Sequence, residues 1–347
     1  MTAPTDTGRP RLAAVVYNPV KVEVDELRPI VEAEARAAGW EPPLWFETSE
    51  KDPGGGQARD ALEAGATMVL AAGGDGTVRA VAEVVQGTDA SLALLPSGTG
   101  NLLARNLSLT LNDVQHSVHS AFAGRDRAID VAVTEVYRQD GSHTRHVFLV
   151  MAGFGIDAKM LAATDDELKA KVGWLAYVKA LVTVLRDKNV LGLRYKIDGE
   201  DVRRMRAHTL IVANAGSLPG NILLLPEAAV DDGQLDVVIM RPEQIIGWLQ
   251  IIVKVVWENG VLSRTRLGRK FRTREVKALN YLRGKELRVR LNRPEEVELD
   301  GDPFGKAIGL VTRVVPGGLT IRVPADAAED AGAGVPQEEQ QLAETDA

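Results

Sequence analysis

Residues 67–77 read TMVLAAGGDGT, an apolar run that passes directly into Gly73-Gly74-Asp75-Gly76-Thr77. A short apolar run closed by a turn signal reads as a buried strand, here 67–72. The apolar residues 78–85 that follow read as a helix, so the glycines fall between a strand and a helix. Glycines let the backbone fold tightly and bring bare N–H groups against an anion. The helix start adds the positive end of its dipole. A nucleotide phosphate is the natural occupant; a turn that only joins strand to helix is the plainer alternative. The string has neither Walker nor GxGxxG spacing.

Working outward, the same unit repeats. Strands are expected at 12–17, 44–47 and 91–95, and helices at 25–38 and 57–64, the latter two stopped by Gly39 and Gly65. The strand at 91–95 runs into a second glycine-rich turn, Pro96-Ser97-Gly98-Thr99-Gly100-Asn101, and another helix. Two such turns at the C-terminal edge of one sheet form one crevice. Thr99 or Asn101 could also simply cap the helix. This strand–helix alternation implies an α/β domain with a parallel sheet over 11–130. Beyond it, β-like runs at 129–136, 147–151, 193–197, 209–213, 235–239, 286–291 and 319–323 are often separated by turns with Gly, Asp or Asn. They imply a largely antiparallel β-sandwich domain over 131–324, interrupted by helices at 166–186 and 243–259. Residues 1–10 read as a disordered arm and 325–347 as a disordered acidic tail.

Composition narrows the function. The chain has 347 residues and no Cys, which excludes disulfides, thiolate metal sites and Cys nucleophiles. A net charge of −7 argues against nucleic acid as a bulk partner. No apolar run approaches the roughly 18 residues of a spanning helix, and the start lacks a signal-peptide core. The expected location is cytoplasmic. His116 and His119 have helical spacing but no third ligand, so a solvated helix face is the better reading.

GGDGT followed some twenty residues on by PSGTGNLLARNL resembles the diacylglycerol kinase catalytic family, which includes bacterial lipid kinases and sphingosine and ceramide kinases. Further matches follow in order: Asn18-Pro19, Thr48, Gly153-Phe154-Gly155-Ile156-Asp157, PEAAVDDGQLDV at 226–237, and Asp300-Gly301-Asp302. The resemblance covers 11–324. It implies an α/β domain of NAD kinase/phosphofructokinase type plus a β-sandwich, with the active site in the cleft between them, and ATP and Mg²⁺ as co-substrate and cofactor. Carried over by position, Asn18, Thr48, Gly73, Gly74, Asp75, Gly76, Thr77, Gly98, Thr99 and Asn101 would contact ATP. Asp300 would be the general base toward a lipid hydroxyl. Asp232 would hold a structural Mg²⁺ with the main chains of Ala229 and Gln234, and Asp75 and Asp130 would join an acidic network near it. Asp232-Gly233 and Asp300-Gly301 are also ordinary turn dipeptides.

The sequence departs from the family twice. Leu102 stands where the family often has Asp, and the third residue of its DGE segment is Asp302. A lipid kinase needs membrane contact. The apolar stretch 243–259, followed by Arg264, Arg266, Arg269, Lys270, Arg272, Arg274 and Lys277, suits an anionic membrane surface at the inner face. A core helix followed by a solvated basic loop is the alternative. The expected activity is ATP-dependent phosphorylation of a lipid hydroxyl, of diacylglycerol or a related lipid. An NAD or sugar kinase-like enzyme, or a non-catalytic lipid-binding protein on the same fold, are the alternatives. A homodimer is left open.

Overall fold

The computed structural model describes residues 11–98, 100–155, 190–218, 222–223, 225, 228–241 and 279–326. The helices expected at 166–186 and 243–259, the basic stretch 264–277, Thr99, the arm 1–10 and the tail from 327 lie outside the described residues.

The first half alternates strand and helix: β1 (Ala13–Tyr17), α1 (Val24–Ala37), β2 (Leu44–Glu47), α2 (Gly55–Glu63), β3 (Met68–Gly73), α3 (Asp75–Val85), β4 (Ser91–Pro96), α4 (Leu102–Asn106) and α5 (Val114–Ala123). β1 pairs in parallel with β2 and β3, and β3 with β4. Alternate side chains feed two cores. Val15, Leu70 and Leu95 meet Leu27, Val31 and Phe122 from α1 and α5. Val16, Val69 and Leu94 meet Ala58, Ala61, Val78 and Val81 from α2 and α3. A sheet covered on both faces explains why its strands read as unbroken apolar runs. The chain leaves β1 toward β2 on one side and later returns to β3 and β4 on the other. The strand ends therefore open a crevice at that switch point, where ligands of such sheets bind.

The second half comprises β5 (Arg125–Tyr137), β6 (His143–Phe148), β7 (Met151–Phe154), β8 (Leu191–Ile197), β9 (Arg203–Ala207), β10 (Thr209–Ala213), β11 (Ser217–Leu218), β12 (Ile222–Leu223), β13 (Leu235–Met240), β14 (Leu279–Gly284), β15 (Glu286–Leu299) and β16 (Asp302–Val323). These strands pair with one another antiparallel, around a core that includes Phe148, Phe154, Leu210, Leu235 and Leu287. The early part of β15 pairs with β8 and its last residues with β7. β16 runs 22 residues along β15 and β5 and ends parallel to β4. The last strand thus returns to the N-terminal sheet and fixes the two lobes to each other.

Two local differences from the sequence reading matter for the site. α3 begins at Asp75, inside the glycine string, because Gly74 is extended (φ −89°, ψ −174°) and serves as the N-cap. Asp75, Gly76 and Thr77 therefore form its first turn. The run 147–151, expected as one strand, divides at Leu149 and Val150 into β6 and β7. The amides of 149–151 are drawn instead to the carboxylate of Asp300.

Candidate active site

Each parallel strand delivers one expected nucleotide segment to the same sheet edge. Asn18 follows β1, Thr48 follows β2, Gly74 follows β3, and Ser97 to Asn101 follow β4. The two glycine turns touch. The Ser97 N–H donates to Gly73 O at 3.1 Å, and a Cβ on Gly98 would lie 2.9 Å from the Gly74 Cα. Most of these glycines are there for packing: a Cβ on Gly73 would meet the Thr77 side chain, one on Gly76 the Asp302 carboxylate at 2.8 Å, and one on Gly100 the Asp75 carboxylate. Gly74 differs. A Cβ there meets only the Gly98 Cα, at 3.9 Å, and otherwise open space. That space lies at the N-terminus of α3, where an anion is favoured.

The polar residues brace the turns. Asn101 is buried in the left-handed conformation (φ 47°). Its side chain accepts from Gly98 N at 3.2 Å and donates to Gly98 O at 2.6 Å. Asp75 Oδ1 accepts the Leu102 N–H at 2.6 Å, tying the first turn to the second. Burial raises the Asp75 carboxyl above its ordinary range, the amides of Leu102 and Asn101 oppose this, and the nearby Asp302 adds to it. Asn18 Oδ1 accepts from Val20 N–H at 2.9 Å, and the Asn18 N–H donates to Ala72 O at 2.9 Å. Thr48 is buried, and its N–H donates to Tyr17 O.

The second lobe brings an acidic turn to this edge. β15 and β16 are joined by Asp300-Gly301 with φ of 48° and 88°, the positive pair of a type I′ hairpin. Asp300 is buried, and its carboxylate accepts three backbone N–H groups: Leu149 at 2.8 Å, Val150 at 2.8 Å and Met151 at 3.0 Å. Burial pushes its carboxyl up to about 6 despite those donors and Arg79. The side chain expected as general base is thus also the peg on which the hairpin turn hangs. The Asp302 carboxylate has no hydrogen-bond partner among the described residues, is half-buried and lies against Gly76. Burial raises its carboxyl and Arg79 lowers it.

The expected metal residues sit in the turn before β13. Asp232 Oδ1 accepts the Gln234 N–H at 3.0 Å, and its Oδ2 is ion-paired with Arg283. Arg283 also reaches Asp236 at 3.0 Å. Asp130, expected in the same network, spends its oxygens on the Gly233 N–H at 2.6 Å and the Gly317 N–H at 2.8 Å. Leu102 is buried. A hard cation needs free oxygen ligands, and the Asp232 carboxylate is already neutralised by a guanidinium. The residues as arranged do not fit a cation at Asp232. The Gln234 N–H is committed to Asp232, and Ala229 offers main-chain groups alone.

Asp302 stands out in the sequence as the last residue of the DGE-like segment, whereas Arg79 lies outside every motif named there. For Arg79 the signal was present: a lone arginine inside the apolar helix 78–85.

A parallel α/β layer whose glycine turns face an acidic hairpin from a β-sandwich is the architecture of the diacylglycerol kinase and NAD kinase fold. The model of the diacylglycerol kinase catalytic domain matches residues 13–134, and that of the YegS C-terminal NAD kinase beta sandwich-like domain matches 150–323. The "Probable lipid kinase YegS-like" of Pseudomonas fluorescens is 30% identical over 91% of this chain and 96% of its own length. That of Pseudomonas aeruginosa is 33% identical over 77% and 80%. A solved diacylglycerol kinase from Bacillus anthracis superposes with a TM-score of 0.64 at 18% identity, over 92% of this chain and 98% of that one. Yeast NADH kinase does so at 0.50 and 11%, over 93% and 85%. The last two likenesses speak for the fold alone. The chain belongs to the YegS-like lipid kinase family.

Proposed function

We propose that this chain transfers the γ-phosphoryl group of ATP to a hydroxyl of a lipid, diacylglycerol or one related to it, and that Asp302 is the proton acceptor. The observation that carries this reading is the Asp302 carboxylate, without a hydrogen-bond partner among the described residues, against Gly76 in the first turn of α3. The phosphates would lie at the start of α3, where the positive end of the helix dipole meets them. Mg²⁺ accompanying the nucleotide would neutralise phosphate charge. The lipid hydroxyl would donate its proton to Asp302 as its oxygen bonds to the γ-phosphorus, the bond to the β-phosphate bridge breaks, and ADP leaves. Asp300, its oxygens held by three amides, would fix the turn that presents Asp302. Membrane contact through 243–277 and action at the cytoplasmic face belong to the same proposal, supported by sequence pattern.

The test is labelled ATP supplied with a total lipid extract, NAD and sugars in parallel. Label is expected only in lipid, and mass spectrometry would identify the species. Label in NAD or sugar instead would overturn the lipid reading. Asp302→Asn should keep ATP affinity and lose about 10²–10⁴-fold in turnover, the usual worth of a positioned base. Wild-type turnover in that variant, with loss in Asp300→Asn, would return the base to Asp300. Gly74→Val places its side chain in the open space at the α3 amides, on a backbone that valine adopts. The protein should fold and lose nucleotide binding; unchanged ATP affinity by calorimetry would remove this turn from the site.

A further inference from the structure

Arg79 lies in α3, one turn beyond Gly76, with its side chain only 9% exposed. Charged side chains are rarely buried to this degree unless fully paired. Its pairing is incomplete. Nη1 meets Glu83 Oε2 at 3.3 Å, the guanidinium lies 4.5 Å over the Phe304 ring, and Nε is buried with no partner among the described residues. An apolar side chain of similar reach would fill the same space without stranding a donor. Stability alone therefore does not account for an arginine here.

Its neighbours connect it to the acidic turn. Phe304 lies two residues beyond Asp302, and its ring also packs against His146 at 4.7 Å. His146 Nδ1 lies 3.6 Å from Glu83 Oε2, which also accepts the Val147 N–H at 3.4 Å. Arg79, Glu83, His146 and Phe304 thus join α3, β6 and the start of β16 in one cluster beside the glycine turns. Asp75 and Arg79 of α3 interact electrostatically with Asp302, Asp300 stands two residues before it in the same turn, and Arg138 of the β5–β6 connection donates Nη2–H to the Phe304 carbonyl at 3.1 Å. Arg79 is the cation acting on both Asp300 and Asp302.

We propose that Arg79 is a positioning residue of the transfer reaction: through Phe304 it fixes the 300–304 turn against α3, and its charge faces the Asp302 carboxylate beside the glycine turn. This rests on the lipid kinase reading with Asp302 as proton acceptor. Without that charge, Asp75 and Asp302 would repel each other uncompensated, and Asp302 would hold its proton to higher pH. Lysine would restore the charge but not the planar stack.

The experiment compares Arg79→Met, Arg79→Lys and Asp302→Asn in the full chain. Arg79→Met should bind ATP as wild type does, lose roughly 10–100-fold in kcat, and move the acidic limb of kcat/KM to higher pH by about one pH unit, the low end for an opposite charge nearby. Arg79→Lys should restore the acidic limb and recover part of kcat. Wild-type kcat with an unshifted limb in Arg79→Met, whatever its Tm, would reduce the residue to packing. If the Met variant does not fold, Arg79→Lys decides: partial loss of kcat with an unshifted limb supports the proposal, and full activity overturns it. Wild-type turnover in Asp302→Asn would instead mark the failure of the underlying reading.

Discussion

The chain places the dipeptide Asp-Gly at two turns of the second lobe, 232–233 and 300–301, and gives them opposite surroundings. Both glycines have left-handed φ, 71° and 88°. At 300 the aspartate is left-handed too, so two residues suffice to join β15 and β16. There the carboxylate is buried and collects three backbone N–H groups. At 232 it is 24% exposed, takes one backbone N–H and pairs with Arg283. The same turn chemistry thus yields an internal peg in one place and a surface ion pair in the other. What differs is what lies opposite: the broken edge between β6 and β7 faces Asp300, and β14 presents Arg283 to Asp232.

The largest effect is expected from emptying the buried turn. Asp300→Ala strands the amides of Leu149, Val150 and Met151, each unmet buried donor costing about 1–3 kcal/mol. Against a total stability on the order of 5–15 kcal/mol, Tm should fall by about 10 °C or more. Asp300→Asn keeps one oxygen for two amides and turns its own N–H₂ toward the third, so its cost should be smaller. The pH dependence sharpens the contrast. Because the folded-state value is raised, the Asp300 contribution is fully present below the ordinary carboxylate value of 3.8 and is lost as pH rises through about 6. Wild-type Tm should therefore decline across that window. Asp300→Asn should flatten the decline without abolishing it, since burial also raises Asp75 and Asp302. An equal slope in both proteins would show that Asp300 is not its source.

The contrast also marks how far sequence reading reaches. The α/β layer was legible because two-sided burial writes its strands as apolar runs, and GGDGT marked the sheet edge at which the glycine turns converge. That Asp-Gly makes a turn was legible at both sites. Which turn is buried was not, because the amides that hold Asp300 come from a segment 150 residues away along the chain. The division of 147–151 was hidden for the same reason, as its apolar residues look like one strand. Arg283 as partner of Asp232 depends on the register of β13 against β14, which pairs Asp236 with Arg283. Register between strands this far apart in the sequence is a tertiary outcome that local pattern does not encode.

The smallest effect is expected at Asp232, and it tests the other half of the comparison. The family resemblance places a structural Mg²⁺ there. In this chain the counter-charge is the planar guanidinium of Arg283, which also holds Asp236. A divalent cation would have to displace that guanidinium and then stand beside it. The acidic support around the turn is committed elsewhere, Asp130 to the amides of Gly233 and Gly317, while Leu102 adds no charge. Added Mg²⁺ without nucleotide should therefore leave wild-type Tm unchanged to within about 1 °C, because a ligand that does not bind the folded chain does not stabilise it. Asp232→Asn should cost within about 1 kcal/mol, the range of a partly exposed ion pair. Arg283→Gln should free the carboxylate and make Tm rise with Mg²⁺. A magnesium-dependent rise in the wild type that Asp232→Asn removes would show that Arg283 yields to the metal. The two Asp-Gly turns would then differ in ligand, with protein amides holding Asp300 and a cation holding Asp232.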